Sequence, residues 1–253
     1  ALHTLAAGLV TLRETFTGPI IVVDNASDDG TPQWLSYKKN LTVQLNAVNK
    51  KFTGGFADYL ETTKADLVTL MNCDCLCEVG WPQAIESRFQ ARPRAGIVAP
   101  LLLDVTGDMV VHAGGKPDLM GHIYGPSSVP WQSAPVQWVT FAFLTLRMDA
   151  YRAVGGFDRQ FEHYCSDSDL CHRMWVDGWE VWMEAQAKIR HIHMVSTKAL
   201  QQRDEKAYKA CWDDQPRFTR KWAPHGLSIG GKGLFQPHED LCSADLNPLL
   251  AGV

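Results

Sequence analysis

Apolar positions along the chain recur first at helical spacing and then in short unbroken runs. Leu2, Leu5, Leu9 and Leu12 share one stripe within residues 1–17, which predicts an amphipathic helix. The run Pro19-Ile20-Ile21-Val22-Val23 then ends in Asp24-Asn25-Ala26-Ser27-Asp28-Asp29-Gly30-Thr31, the pattern of a buried strand opening into a polar turn. Thr31-Pro32 suits the start of the next helix. Residues 41–45 predict a second strand, 54–64 a helix, and 65–71 a third strand ending at Asn72-Cys73-Asp74-Cys75. A helix over 81–91 and a strand over 96–100 follow. This alternation predicts an α/β domain with a mostly parallel, Rossmann-like sheet flanked by helices.

The pattern changes after residue 100. Residues 101–135 are rich in Gly, Pro and Ser and suit hairpins or loops. Residues 136–146 read as a strand, 150–154 and 166–177 as helices, 180–183 and 189–191 as late strands, and 199–222 as a charged helical extension. The expected organisation is one domain over 1–223 with a tail over 224–253 that packs on it.

Composition narrows the function. A formal charge of −4 over 253 residues argues against a protein held to nucleic acid by overall charge. No run of about 20 apolar residues exists, so no transmembrane helix is expected. Seven cysteines include three that alternate, Cys73, Cys75 and Cys77, but no CxxC pair. On a strand those three share a face, which raises a zinc or redox site. Small apolar residues in a reducing compartment are the commoner explanation, and the expected location is the cytoplasm.

Several polar stretches carry candidate chemistry, each with a plainer structural reading. Asp24 at a strand end can accept hydrogen bonds from a nucleobase or ribose, or simply cap its own turn. Asp74 ends the third strand and can ligate a cation, or close a turn. Val154-Gly155-Gly156-Phe157-Asp158 precedes Ser166-Asp167-Ser168-Asp169-Leu170-Cys171-His172-Arg173, an acidic helix start that suits the helix dipole. Asp169 and Arg173 have the spacing of a helix-surface pair. His191 and His193 share one strand face and can bind metal.

In order and spacing, these stretches resemble the GT-A glycosyltransferases of the large inverting family 2, with a match from about residue 20 to 196. The resemblance implies the GT-A fold and transfer of a sugar from a nucleoside diphosphate sugar, such as a UDP-sugar, to an acceptor hydroxyl. It implies that Asp24, Ser27, Asn49 and Asn72 contact the nucleotide sugar. Asp74 and His191 would hold Mn²⁺ or Mg²⁺ against the diphosphate, and Asp167 would be the catalytic base. The acceptor classes are a glycan, a lipid-linked sugar or a hydroxymethylated base in DNA. The chain departs from the family pattern at Lys51 and Phe141, where Gly is usual, at Phe56 for Asn and at Ser166 for Glu. Phe141 is expected to reshape the sugar pocket. Ser166 removes a like charge beside Asp167, which lowers its titration relative to a paired site. The apolar strand that normally opens the family precedes none of these motifs. Two other readings share the pattern: a binding module with impaired catalysis, and a nucleotidyltransferase.

Overall fold

The computed structural model describes residues 2–115, 123–192 and 205–225. His193, Lys198, Arg203 and the tail beyond residue 225 lie outside the described residues.

The apolar stripe at the start forms helix α1 (Leu2–Thr15), followed by β1 (Ile21–Asp24), α2 (Thr31–Ser36), β2 (Thr42–Leu45) and α3 (Lys51–Thr62). Next come β3 (Leu67–Met71), β4 (Cys75–Cys77), α4 (Trp81–Ala91) and β5 (Ala95–Leu103). The Gly- and Pro-rich stretch contains β6 (Met109–His112), β7 (Gly125–Pro126) and β8 (Ala134–Pro135). Then follow β9 (Phe143–Arg147), α5 (Met148–Ala153), α6 (Ser166–Val176), β10 (Glu180–His191), α7 (Glu205–Ala210) and α8 (Asp214–Trp222). The two late strands expected over 180–183 and 189–191 are one strand. Its pairing with β5 is interrupted between Glu184 and Lys188.

The fold is α/β, but neighbouring strands are mostly antiparallel. The order β3-β9-β5-β10-β4 contains one parallel pair, β5 with β10; β1 and β2 form a separate parallel pair. β9 is the cause. It pairs antiparallel with both β3 and β5 and so separates two strands that run the same way. The helical crossover α4 does make β3 and β5 co-directional, as the alternation implies. β9 instead comes in from the irregular region and wedges between them. Among the described residues no strand joins β1 to β3, so β1 and β2 form a sheet of their own.

The largest buried cluster runs from Ala57 and Leu60 of α3 through β5 and β9 to Phe218 and Trp222 of α8. The C-terminal extension therefore shares the main core. A second cluster joins Cys75, Cys77, Trp81 and Phe143 on the other side of the sheet, and α1 covers Ile20, Val22 and Leu35. No helix among the described residues is long and apolar enough to cross a membrane.

Candidate functional site

The turn after β1 is held by its own side chains. Asp24 is buried, and its carboxylate accepts the Ser27 backbone N–H at 3.0 Å. Asn25, next along the chain, is the organising residue. Its amide nitrogen donates to the Asn49 side chain (3.0 Å) and the Lys51 carbonyl (2.8 Å). Its oxygen accepts from the Asn46 side chain (3.2 Å) and the Lys50 backbone (2.9 Å). Asn49, exposed, also accepts the Lys51 N–H at 2.8 Å. Lys51, in the left-handed region at φ 60°, starts α3 beside a cavity of about 310 Å³ lined by Asn49, Lys50, Thr53 and Arg159.

At the end of β3, the Asn72 backbone N–H donates to the Ala142 carbonyl (2.9 Å) and its own carbonyl accepts from Cys75 N–H (3.2 Å). This tight turn presents Asp74, which is buried, to His191 at the end of β10, with Oδ1 3.3 Å from Nε2. β4 pairs antiparallel with β10 so that Cys75 lies opposite His191. Directly opposed residues project to the same face, and donor atoms of Asp74, Cys75 and His191 all lie within 4.8 Å of one another. A buried carboxylate, imidazole and thiol this close together fit a divalent cation. Only the first two were expected from the motifs. The alternating cysteines were the available signal: Cys75 and Cys77 both pack in the cluster with Trp81 and Phe143, and Cys75 also brings its sulfur near Asp74 and His191.

Asp167 lies in the first turn of α6. Helix α6 starts abruptly because Cys165 takes a left-handed conformation, φ 61°, a costly one for a residue with a Cβ. Burial pushes the Asp167 carboxyl up to about 6, against the opposing pull of the Ser168 and Phe141 backbone amides. Loss of the neighbouring carboxylate at Ser166 therefore does not set this group's acidity; desolvation does.

Phe141 and Ala142 connect the two centres. The Phe141 backbone amide favours the charged form of Asp167. The Ala142 carbonyl accepts the Asn72 N–H and, at 3.3 Å, the Cys75 thiol. The Phe141 ring packs inward. It is 3% exposed, stacks on Phe52 (centroids 6.0 Å) and meets Phe157 edge-on (5.3 Å). Trp131 and Trp138 are likewise core residues.

The Gly-Gly-Phe-Asp stretch is a turn with both glycines at positive φ (82° and 70°). A Cβ on Gly156 would press on the Tyr151 ring at 3.2 Å. Arg173 holds this turn through the carbonyls of Val154 (2.7 Å) and Gly156 (2.6 Å). Its partner Asp169 is fully buried, not part of a surface pair, and also meets Lys221 at 2.6 Å and the Trp222 indole at 2.9 Å. Sequence spacing revealed the Arg173 contact but carried no signal for the two from α8.

Comparison with known proteins bears on the family and the fold. Residues 18–109 match the model of Glycosyl transferase family 2. The chain is 30% identical to an N-acetylglucosaminyl-diphospho-decaprenol L-rhamnosyltransferase of Mycobacterium tuberculosis, over 70% of this chain and 67% of that protein. Two solved structures share the fold. One is GalNAc-T7 with UDP, GalNAc and Mn²⁺, with TM-score 0.61 and 10% identity over 90% of this chain and 53% of that one. The other is the mannosyltransferase PcManGT of Pyrobaculum calidifontis with GDP-Man and Mn²⁺, with TM-score 0.54 and 14% identity over 80% and 57%. The chain thus spans just over half the length of these two solved proteins. With a family-model match and a relative of that similarity, the chain belongs to glycosyltransferase family 2 and has the GT-A fold.

Proposed function

We propose that this chain transfers a glycosyl unit from a nucleoside diphosphate sugar to an acceptor hydroxyl with inversion at the anomeric carbon. What supports the reading is the place of Asp167 in the first turn of α6, linked through Phe141 and Ala142 to the turn that presents Asp74, with burial raising its carboxyl to about 6. A general base works best when its pKa lies near the working pH, because it is then both ionised and basic. Asp167 takes the proton from the acceptor hydroxyl as that oxygen attacks.

The turn at Asp24 and Ser27, with Asn49 held by Asn25, receives the nucleoside, and Asn72 lies beside the diphosphate. Asp74 and His191 hold Mn²⁺ or Mg²⁺, the ion bound with nucleotide sugar components in the two solved neighbours being Mn²⁺. When bound, the ion neutralises charge on the departing diphosphate. One catalytic domain over 1–223 carries the whole site. Among the described residues Cys75, Cys77, Cys165 and Cys171 stand outside disulfides, which suits a cytoplasmic location.

The name of the mycobacterial relative makes a rhamnosyl donor and a lipid-linked sugar acceptor the first pair to test. A DNA acceptor is less favoured because basic groups of the C-terminal extension are committed to ion pairs: Lys209 to Glu205, Arg217 to Asp214, and Lys221 to Asp158 and Asp169. The deciding experiment is a donor and acceptor screen with Mn²⁺, followed by NMR assignment of the anomeric configuration of the product. A product of inverted configuration, lost in Asp167→Asn, supports the reading. Retained configuration, or full turnover in Asp167→Asn, rejects it.

A further inference from the structure

We infer that Cys75 is a third protein ligand of the cation, so that this centre takes a thiolate beside the Asp74 carboxylate and the His191 imidazole. The inference rests on the metal-centre reading above and extends it to a residue that the acidic motif does not include.

Three observations carry it. First, Cys75 and His191 are direct partners in the antiparallel ladder between β4 and β10, and such partners place their side chains side by side on one face of the sheet. Second, one donor atom from each of Asp74, Cys75 and His191 lies within 4.8 Å of the other two. Third, all three residues are buried, with Cys75 at 0% exposure, so the donors meet in the interior and not on open surface. The thiol now donates to the Ala142 carbonyl at 3.3 Å. Cation binding exchanges that S–H contact for a metal–sulfur bond, and the thiol proton passes to solvent. No electrons are transferred.

The consequence is metal preference. A carboxylate and an imidazole alone suit Mn²⁺ and Mg²⁺, whereas a thiolate adds selectivity for softer cations such as Zn²⁺, Co²⁺ and Cd²⁺. Magnesium, which prefers oxygen ligands, becomes the weakest ion for this centre.

The test is titration of the metal-free chain with Co²⁺ alone, followed by absorption spectroscopy and cobalt-edge X-ray absorption. The expected result is a near-ultraviolet sulfur-to-cobalt charge-transfer band and a sulfur scatterer in the metal's nearest shell. Cys75→Ser loses the band while keeping its circular dichroism, and Cys73→Ser keeps it. The X-ray measurement on the wild-type chain decides the matter even if Cys75→Ser fails to fold. Cobalt bound with only nitrogen and oxygen neighbours overturns the thiolate ligand and leaves the Asp74–His191 centre standing. No cobalt binding at all overturns both.

Discussion

Asp214 Oδ2 accepts the backbone N–H of Tyr164 at 3.0 Å, across 50 residues of chain, and that of His163 at 2.8 Å. The carboxylate is buried and is paired with Arg217 at 2.8 Å. Together with Lys221 on Asp158 and Asp169, and Trp222 on Asp169, it ties α8 to the loop that leads into Asp167. Helix α8 therefore holds the segment that leads into Asp167.

Replacing Asp214 by Ala leaves the two N–H groups without their acceptor, at a cost of about 1–3 kcal/mol for each. Thermal unfolding is expected to move down accordingly. A purely structural role stops there. A positioning role also lowers kcat more than it raises the donor KM, because the loop before Asp167 loses its register. Steady-state kinetics at a temperature well below the new Tm separates the two, and unchanged kcat refutes positioning.

Phe141 yields the opposite split. Its ring is packed against Phe52 and Phe157, so Phe141→Ala removes a buried aromatic at a cost of about 3–5 kcal/mol. The donor KM of the surviving folded fraction stays close to that of the parent chain. A large change in sugar selectivity with little loss of stability would mean that the ring faces the sugar after all.

These two residues mark the boundary of what the chain's pattern makes legible. Period and turn chemistry located α4 over the span expected for it, and the strand-end acids Asp24 and Asp74, because those signals are local. His191 was placed beside Asp74 by motif order, and the 3.3 Å approach agrees. The antiparallel insertion of β9 was not legible, since an apolar strand has the same composition whichever way it runs. Nor was the direction of the Phe141 ring, because a family position names a residue and not its rotamer. Asn25 and Asp214 were missed for a related reason. Both act by hydrogen-bonding distant backbone, and no spacing rule encodes such partners.

Asn25 is open to a direct check. Four hydrogen bonds from one side chain fix the segment from Asn46 to Lys51. Asn25→Ala releases Asn49 and the start of α3 without touching Asp167. The expected outcome is a donor KM raised about 10-fold or more, equivalent to roughly 1.4 kcal/mol, with kcat nearly unchanged. Calorimetric titration with nucleoside diphosphates checks it, and equal affinity in the two chains removes this loop from the donor site.

The acidity of Asp167 ties stability and catalysis to pH in opposite directions. Its carboxyl is raised from 3.8 to about 6 by burial, so the folded chain binds more protons than the unfolded chain between those values. Stability from this group is therefore complete below the unfolded pKa and is lost as pH rises through the folded one. The two-unit shift sets an upper bound of about 3 kcal/mol on that loss. Activity runs the other way, because only the ionised form accepts a proton, and kcat/KM should fall below pH 6 with a slope of one proton. Asp167→Asn removes both dependences at once. Denaturant unfolding at neutral pH should show the variant more stable than the parent, while turnover drops by about 10²- to 10⁴-fold. A variant that is less stable at neutral pH would mean that the carboxylate is held by its amide contacts and not strained by burial. Its role as a base poised near neutrality would fall with that result.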